Sequence, residues 1–216
     1  MEISKCWYKD VCNVNECSSC IRFLEMSALV ENSGLVNFYP STLRAPACDA
    51  DAFYRLRDIK DNIVEFVENG NNLYITSSYT GNGKTTWATK LLLKYFDSIW
   101  AGNGFKTRGL FIHTPTFLLK CKDFGNTDDN FNLLKSHIPS VDLVVWDDIA
   151  STSLSPFDYN QLLMYIDIRV SNRLSNIYTG NLVDRKLLQK ALGDKLTSRI
   201  LGNNTEIIVF NGGDKR

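Results

Sequence analysis

The stretch YITSSYTGNGKTTWATKLLLKYF, residues 74–96, restricts the possible folds more than any other part of the chain. It begins as a β-like run, passes through a loop carrying two glycines, a lysine and two threonines, and ends in a helix-like apolar pattern. The window from Ser78 to Thr85 fits the phosphate-loop pattern G-x-x-x-x-G-K-[ST] at every fixed position except the first, where serine replaces glycine. Such a loop points backbone N–H groups inward at phosphate oxygens, which favours glycine at 81 and 83, where no Cβ intrudes. Lys84 supplies a point charge to the β- and γ-phosphates, and the Thr85 hydroxyl reaches Mg²⁺. Thr80, Gly81, Asn82, Gly83, Lys84, Thr85 and Thr86 are therefore the expected nucleotide-binding residues, with the N-terminus of the following helix facing the anion. Ser78 sits at the strand exit, where it costs some backbone freedom but removes no donor. Strand, loop and helix in this order, with a matching acidic strand downstream, weigh against a chance Gly-Lys-Thr turn.

That acidic strand is LVVWDD, Leu143 to Asp148: four apolar residues and then two aspartates. A central strand buried on both faces reads as continuous apolar sequence. The carboxylate at its C-terminal end then holds Mg²⁺ through water, and Asp147 takes that role. Asp148 stands where nucleotide hydrolases of this pattern usually carry the glutamate that polarises attacking water. Aspartate is one methylene shorter and acts through a shifted water position. The plain alternative is two solvated acids at a strand end.

Around these motifs, 216 residues suit one medium domain plus a small appendage. Lys plus Arg and Asp plus Glu number 24 each, so the formal net charge is zero. Any nucleic-acid contact must then come from a local patch or from an oligomer. No apolar run approaches the ~20 residues of a membrane span, and the N-terminus lacks a signal-peptide core, so a reducing, cytoplasmic setting is expected. Residues 1–26 hold four of the six cysteines. Residues 27–50 read as a connector draped over the main domain, residues 51–216. In that domain 51–70 reads as a helix, with Phe53, Leu56, Ile59, Ile63, Phe66 and Val67 at spacings of three and four. Strands at 72–77, 109–114, 141–148, 176–181 and 205–210 then alternate with helical patterns at 83–97, 115–124, 130–138, 155–174 and 184–201. The alternation predicts an α/β fold of three layers, α/β/α, about a parallel five-stranded sheet.

Two further segments complete the pattern. NIYTGNL, 176–182, sets Asn181 at a strand end after Thr179 and Gly180, and LTSRILGNNTEIIVF sets Arg199 just ahead of the last strand. With the phosphate loop and the acidic strand, they make the main domain resemble the AAA+ ATPases. More closely it resembles the helicase loaders of bacteria and their phages, the DnaC/DnaI type, with IstB-like transposition ATPases as near relatives. The resemblance covers roughly residues 50–216 and rests on four ordered motifs, of which only the phosphate loop is specific alone. It implies that Asn181 is the sensor-1 residue that helps to place the attacking water. It implies that Arg199 is the arginine finger reaching the γ-phosphate of a neighbouring subunit, worth ~10³–10⁵ in rate. Asp148, Asn181 and Arg199 are thus the expected catalytic residues. A turn asparagine and a surface-helix arginine are the plain alternatives for the last two. Arg169 and Arg173 read as subunit interface, DNA path or solvated face. Few residues follow TEIIVF, so no C-terminal helical lid is expected, as in the loaders, and Arg216 in the terminal GGDKR would lie near nucleotide.

The N-terminal cysteines, Cys6-x5-Cys12-x4-Cys17-x2-Cys20, offer four thiolates. The Cys17–Cys20 spacing is a usual half-site for tetrahedral Zn²⁺, although the first two spacings are long. So short a segment cannot build an apolar core, whereas a structural zinc contributes an apparent ~10–16 kcal/mol in small peptides. Free thiols and a redox pair at Cys17–Cys20 are the alternatives. Cys48 and Cys121 read as ordinary buried or half-buried residues. Lys5, Trp7, Tyr8, Lys9, Arg22 and Phe23 form a candidate surface for a partner protein or for single-stranded DNA. Lys106, Arg108, Lys120, Lys122 and Lys135 form either a DNA-contacting stripe or a solvated face, and Phe117, Phe124 and Phe131 read as core. The resulting expectation is an ATP-dependent loader of a DnaB-type replicative helicase onto single-stranded DNA. It would be homo-oligomeric with ATP, phage or mobile-element encoded, and active in the bacterial cytoplasm, with ATP, Mg²⁺ and Zn²⁺ as cofactors. A nucleotide-gated adaptor with little hydrolysis, an IstB-like transposition ATPase and a zinc-dependent nucleic-acid module are the competing readings.

Overall fold

In the computed structural model, the described residues are Cys12 and residues 20–35, 45–123, 128–151 and 153–213. Five strands, β1 (Asn72–Thr76), β2 (Gly109–His113), β3 (Leu143–Asp147), β4 (Ser175–Gly180) and β5 (Thr205–Val209), form one sheet in the order β2-β3-β4-β1-β5. Every pairing is parallel. Successive side chains of a strand point to opposite faces, and each face carries its own core. Leu73, Ile75, Leu143, Val145, Ile177 and Ile208 pack on one side. Tyr74, Leu110, Ile112, Val144, Trp146 and Tyr178 pack on the other.

The first face is covered by α1 (Ile21–Asn32), α2 (Ala50–Asp61), α3 (Ile63–Glu68) and α4 (Lys84–Ile99). The second is covered by α5 (Thr114–Lys122), α6 (Asp129–His137), α7 (Pro156–Ser171), α8 (Arg185–Leu192) and α9 (Asp194–Ile200). The three-layer α/β/α architecture expected from the sequence is therefore present. α4 buries Trp87, Ala88, Leu91, Leu92, Tyr95 and Phe96, a stripe two residues wide repeating every helical turn. α7 starts at Pro156 behind a capping box, in which Ser155 and Asp158 exchange side-chain-to-backbone bonds.

Several boundaries differ from expectation. The helix expected over 51–70 is two helices that break at Asn62, whose φ of −110° and ψ of 27° leave the helical region. The helix expected over 184–201 breaks at Gly193, which takes φ +74° and ψ 164°, a conformation open to glycine. The segment read as a connector contributes the second half of α1, and the boundary expected after residue 26 falls inside that helix. Phe23, Met26, Leu29 and Val30 are buried. Arg22 ties α1 to the C-terminal end of α4, donating to Asp97 Oδ1 at 2.8 Å and lying 5.4 Å from the Trp100 ring centroid.

The largest correction concerns Arg169. It is neither a solvated face nor a DNA or subunit contact: its relative exposure is 0 %. It shares the inward stripe of α7 with Leu162, Tyr165 and Ile166. Its guanidinium donates to Asn176 Oδ1 and to the carbonyls of Ile138, Val141, Asp142 and Ser175, at 2.6–3.3 Å. Burial lowers its pKa to about 10, so it remains a cation at neutral pH. Arg169 thus clamps the N-terminal end of β4 to the segment between α6 and β3. Arg173, by contrast, is exposed in the turn after α7, with φ +55°.

Candidate functional site

The sheet order sets the C-terminal end of β4 between the ends of β1 and β3. In open parallel sheets ligands bind outside the carboxyl ends of the strands, where connections diverge to opposite faces. β1 runs into the phosphate loop and on to α4, on the first face, while β3 ends in the two aspartates. In the loop Gly81 has φ +68° and Gly83 φ +98°, both in the left-handed region, and Gly83 caps α4. Ser78 is exposed and is absent from the positive-φ residues, so the serine costs the loop no strain. Thr80 is exposed, and Thr85 and Thr86 lie in the first turn of α4. Lys84 is buried, with Nζ donating to the Tyr79 carbonyl at 2.9 Å and to Asn82 Oδ1 at 3.2 Å. Burial lowers its pKa, and the nearby Asp148 and Asp147 carboxylates oppose that shift.

On the acidic side Asp147 is 5 % exposed. Its Oδ1 accepts from Thr85 Oγ1 at 2.8 Å and from Thr179 Oγ1 at 2.7 Å. Burial raises its pKa, and the two hydroxyls oppose the rise. Thr85 of the loop helix and Asp147 of β3 are thus in direct contact, the pairing that a phosphate-bound Mg²⁺ requires, so the residues present fit that ion. Asp148 follows with φ +59°, its backbone N–H donating to Thr179 Oγ1 at 2.9 Å. Ile149 N–H donates to the Thr179 carbonyl. Asn181 is half-buried, and its Oδ1 is buried with no hydrogen-bond partner among the described residues.

Thr179 is the site residue that sequence reasoning did not single out. It is 1 % exposed and holds both the Asp147 side chain and the Asp148 backbone. Thr179→Val keeps the volume but loses both contacts, each with a charged or buried partner worth about 1–3 kcal/mol. The expected result is a Mg²⁺ requirement for ATP binding raised roughly ten-fold, read by titrating Mg²⁺ against bound fluorescent nucleotide; an unchanged requirement would reduce Thr179 to strand packing. Next to it, a Cβ at Gly180 would stand 2.7 Å from Tyr74 Oη and 3.1 Å from the Ile149 carbonyl. Gly180→Ala is therefore expected to destabilise the fold by about 1–3 kcal/mol through overpacking, measured as a lower urea midpoint.

The remaining expected residues lie elsewhere. Arg199 is on the outer side of α9, half-exposed and paired with Asp167 of α7 at 2.5 Å, apart from the side chains that meet at the loop. The basic residues read as a stripe are largely paired: Arg108 with Asp142, Lys120 with Asp128 and Lys122 with Asp158. Phe117 and Phe131 are core residues, as expected. Cys48 is exposed rather than buried, and Cys121 is half-buried. Of the four cysteines assigned to zinc, Cys6 and Cys17 lie outside the described residues, as do Phe124 and Arg216. Cys12 is exposed, and Cys20 caps α1. Among the described residues no cluster of metal-ligating side chains occurs, and no helix is long and apolar enough to cross a membrane.

No family model matches the sequence, and no curated protein matches it. Solved structures do. A crystal structure of the DnaC helicase loader superposes with a TM-score of 0.62 at 21% identity, covering 83% of this chain and 97% of that one. The fold is that of the DnaC helicase loader. DnaI gives a TM-score of 0.58 at 20% identity, over 77% of this chain and 91% of that one. The replication initiator DnaA, bound to AMPPCP and single-stranded DNA, gives 0.58 at 15% identity, over 77% of this chain and 48% of that one. The DnaC-like fold thus carries a phosphate loop, an acidic strand end and a polar β4 end in one crevice.

Proposed function

We propose that this chain is an ATP-dependent loader of a replicative, DnaB-type helicase onto single-stranded DNA. The observation that carries the reading is the meeting of Lys84, Thr85, Asp147 and Thr179 across the β1, β3 and β4 ends. The similarity in fold to DnaC and DnaI supports the loader assignment. In this reading the loop N–H groups and Lys84 bind the β- and γ-phosphates, while Thr85 and Asp147 would hold Mg²⁺. The metal, when bound, would supply charge neutralisation. Asp148 and Asn181 orient the attacking water, and Arg199 acts on the nucleotide of a neighbouring copy in a homo-oligomer. The N-terminal segment grips the helicase, with Cys6, Cys12, Cys17 and Cys20 proposed as a structural zinc site on the strength of their spacing alone. Metal analysis of purified protein is expected to find one zinc per chain, lost on Cys17→Ser with Cys20→Ser.

Turnover measured over a protein-concentration series, with and without single-stranded DNA and a DnaB-type helicase, tests the central claim. Turnover that rises with concentration, together with helicase delivered to a single-stranded circle only with ATP, supports the loader. One observation favours a second reading, a nucleotide-gated adaptor. Asp148 is a short carboxylate on a backbone fixed at φ +59° by Thr179. ATP-dependent assembly without turnover under any of these conditions would decide for the adaptor.

A further inference from the structure

The amide of Asn82 lies between the two left-handed glycines of the phosphate loop, with a relative exposure of 0 %. An ammonium donates hydrogen bonds and never accepts them, so the atom 3.2 Å from Lys84 Nζ is the amide oxygen. That orientation leaves Nδ2 buried with no acceptor among the described residues. A buried donor without a partner is costly and calls for an explanation. An apolar side chain of the same size would fill the space without that cost, so what distinguishes asparagine here is the oxygen it gives to Lys84. The other acceptor of Lys84 is the carbonyl of Tyr79, a residue on the exposed side of the loop. Asp147 and Asp148, at the end of β3, attract the same ammonium from across the site.

We propose that Asn82 is a positioning residue for Lys84: its amide oxygen holds the ammonium in the loop, where it meets nucleotide phosphates. The inference rests on the reading of the loop as a nucleotide site and adds a side-chain role to a position expected to contribute only its backbone. When phosphate oxygens replace the Tyr79 carbonyl, Asn82 keeps its end of the stem fixed, and little reorganisation is needed on binding.

A double-mutant cycle tests this, with Mg·ATP binding measured by titration into the millimolar range for wild type, Asn82→Leu, Lys84→Ala and the double variant. Asn82→Leu is expected to weaken ATP binding about ten-fold, the scale of a hydrogen bond to a charged group, and to cause no further loss once Lys84 is alanine. Asn82→Ala, which removes the amide without adding bulk, carries the same cycle should leucine not fit the loop. An equal loss in both backgrounds makes Asn82 a loop-shaping residue and overturns the proposal, as does no loss in either. If Lys84→Ala binds ATP as well as wild type, the nucleotide reading itself falls, an outcome separate from a failure of coupling.

Discussion

Arg199→Ala is expected to lower ATP turnover by about 10³-fold or more at protein concentrations where the wild type assembles, the scale of an arginine supplied in trans. The variant suits the question because the arginine contributes little to the fold. Its one ion pair, with Asp167, is half-exposed on both sides, and such pairs are worth ~0–1 kcal/mol. A loss of turnover with an unchanged melting curve then reports on chemistry. Mixing supplies the decisive arm. A Lys84→Ala subunit has a disabled phosphate loop and an intact Arg199, while the Arg199→Ala subunit has the reverse. Together they should recover turnover that neither has alone. Failure to recover, or normal turnover by Arg199→Ala by itself, would return Arg199 to the status of a surface residue of α9.

Arg169→Leu is expected to leave the chain largely unfolded, or to lower its melting temperature by about 10 °C or more. Five hydrogen bonds converge on this buried cation. Leucine fills much of the volume but donates nothing, so the acceptors around it lose the donors they share. Breaking a buried charged network typically costs about 3–5 kcal/mol, a large part of the ~5–15 kcal/mol that holds a domain together. Arg169→Lys is expected to fall between, because an ammonium has three donors and lacks the planar fork that reaches β4 and the segment ahead of β3 at once. Thermal and urea unfolding followed by far-UV circular dichroism would check the order wild type, lysine, leucine; a leucine variant as stable as wild type would contradict the clamp.

The parts of this fold that were legible in sequence are those that local chemistry dictates. Gly81 and Gly83 announce left-handed backbone, and the run before Asp147 announces a strand covered on both faces. The breaks at Asn62 and Gly193 were harder to read, because apolar spacing continues across each of them. Arg169 misled through its side-chain type. Its spacing from Leu162, Tyr165 and Ile166 already set it on the inward stripe, but only the loop ahead of β3, packed against that stripe, explains how a guanidinium survives there. Thr179 stands in the NIYTGNL motif with no role that the sequence assigns, since its role arises from β4 lying between β1 and β3, a fact of sheet order. The pairing of the basic residues was hidden for a similar reason: Asp142 and Asp158 pair with Arg108 and Lys122 across 34 and 36 residues of chain.

The attachment of α1 makes α4 a strut between two distant parts of the domain. Its first residue is Lys84, and its far end meets α1 through Asp97 and Trp100. Sixteen residues at 1.5 Å each make a rod about 24 Å long. Its apolar stripe, from Trp87 to Phe96, packs into the core on the first face of the sheet along most of that length. One continuous helix therefore joins Lys84 of the phosphate loop to the anchorage of α1, the helix that begins directly after Cys20.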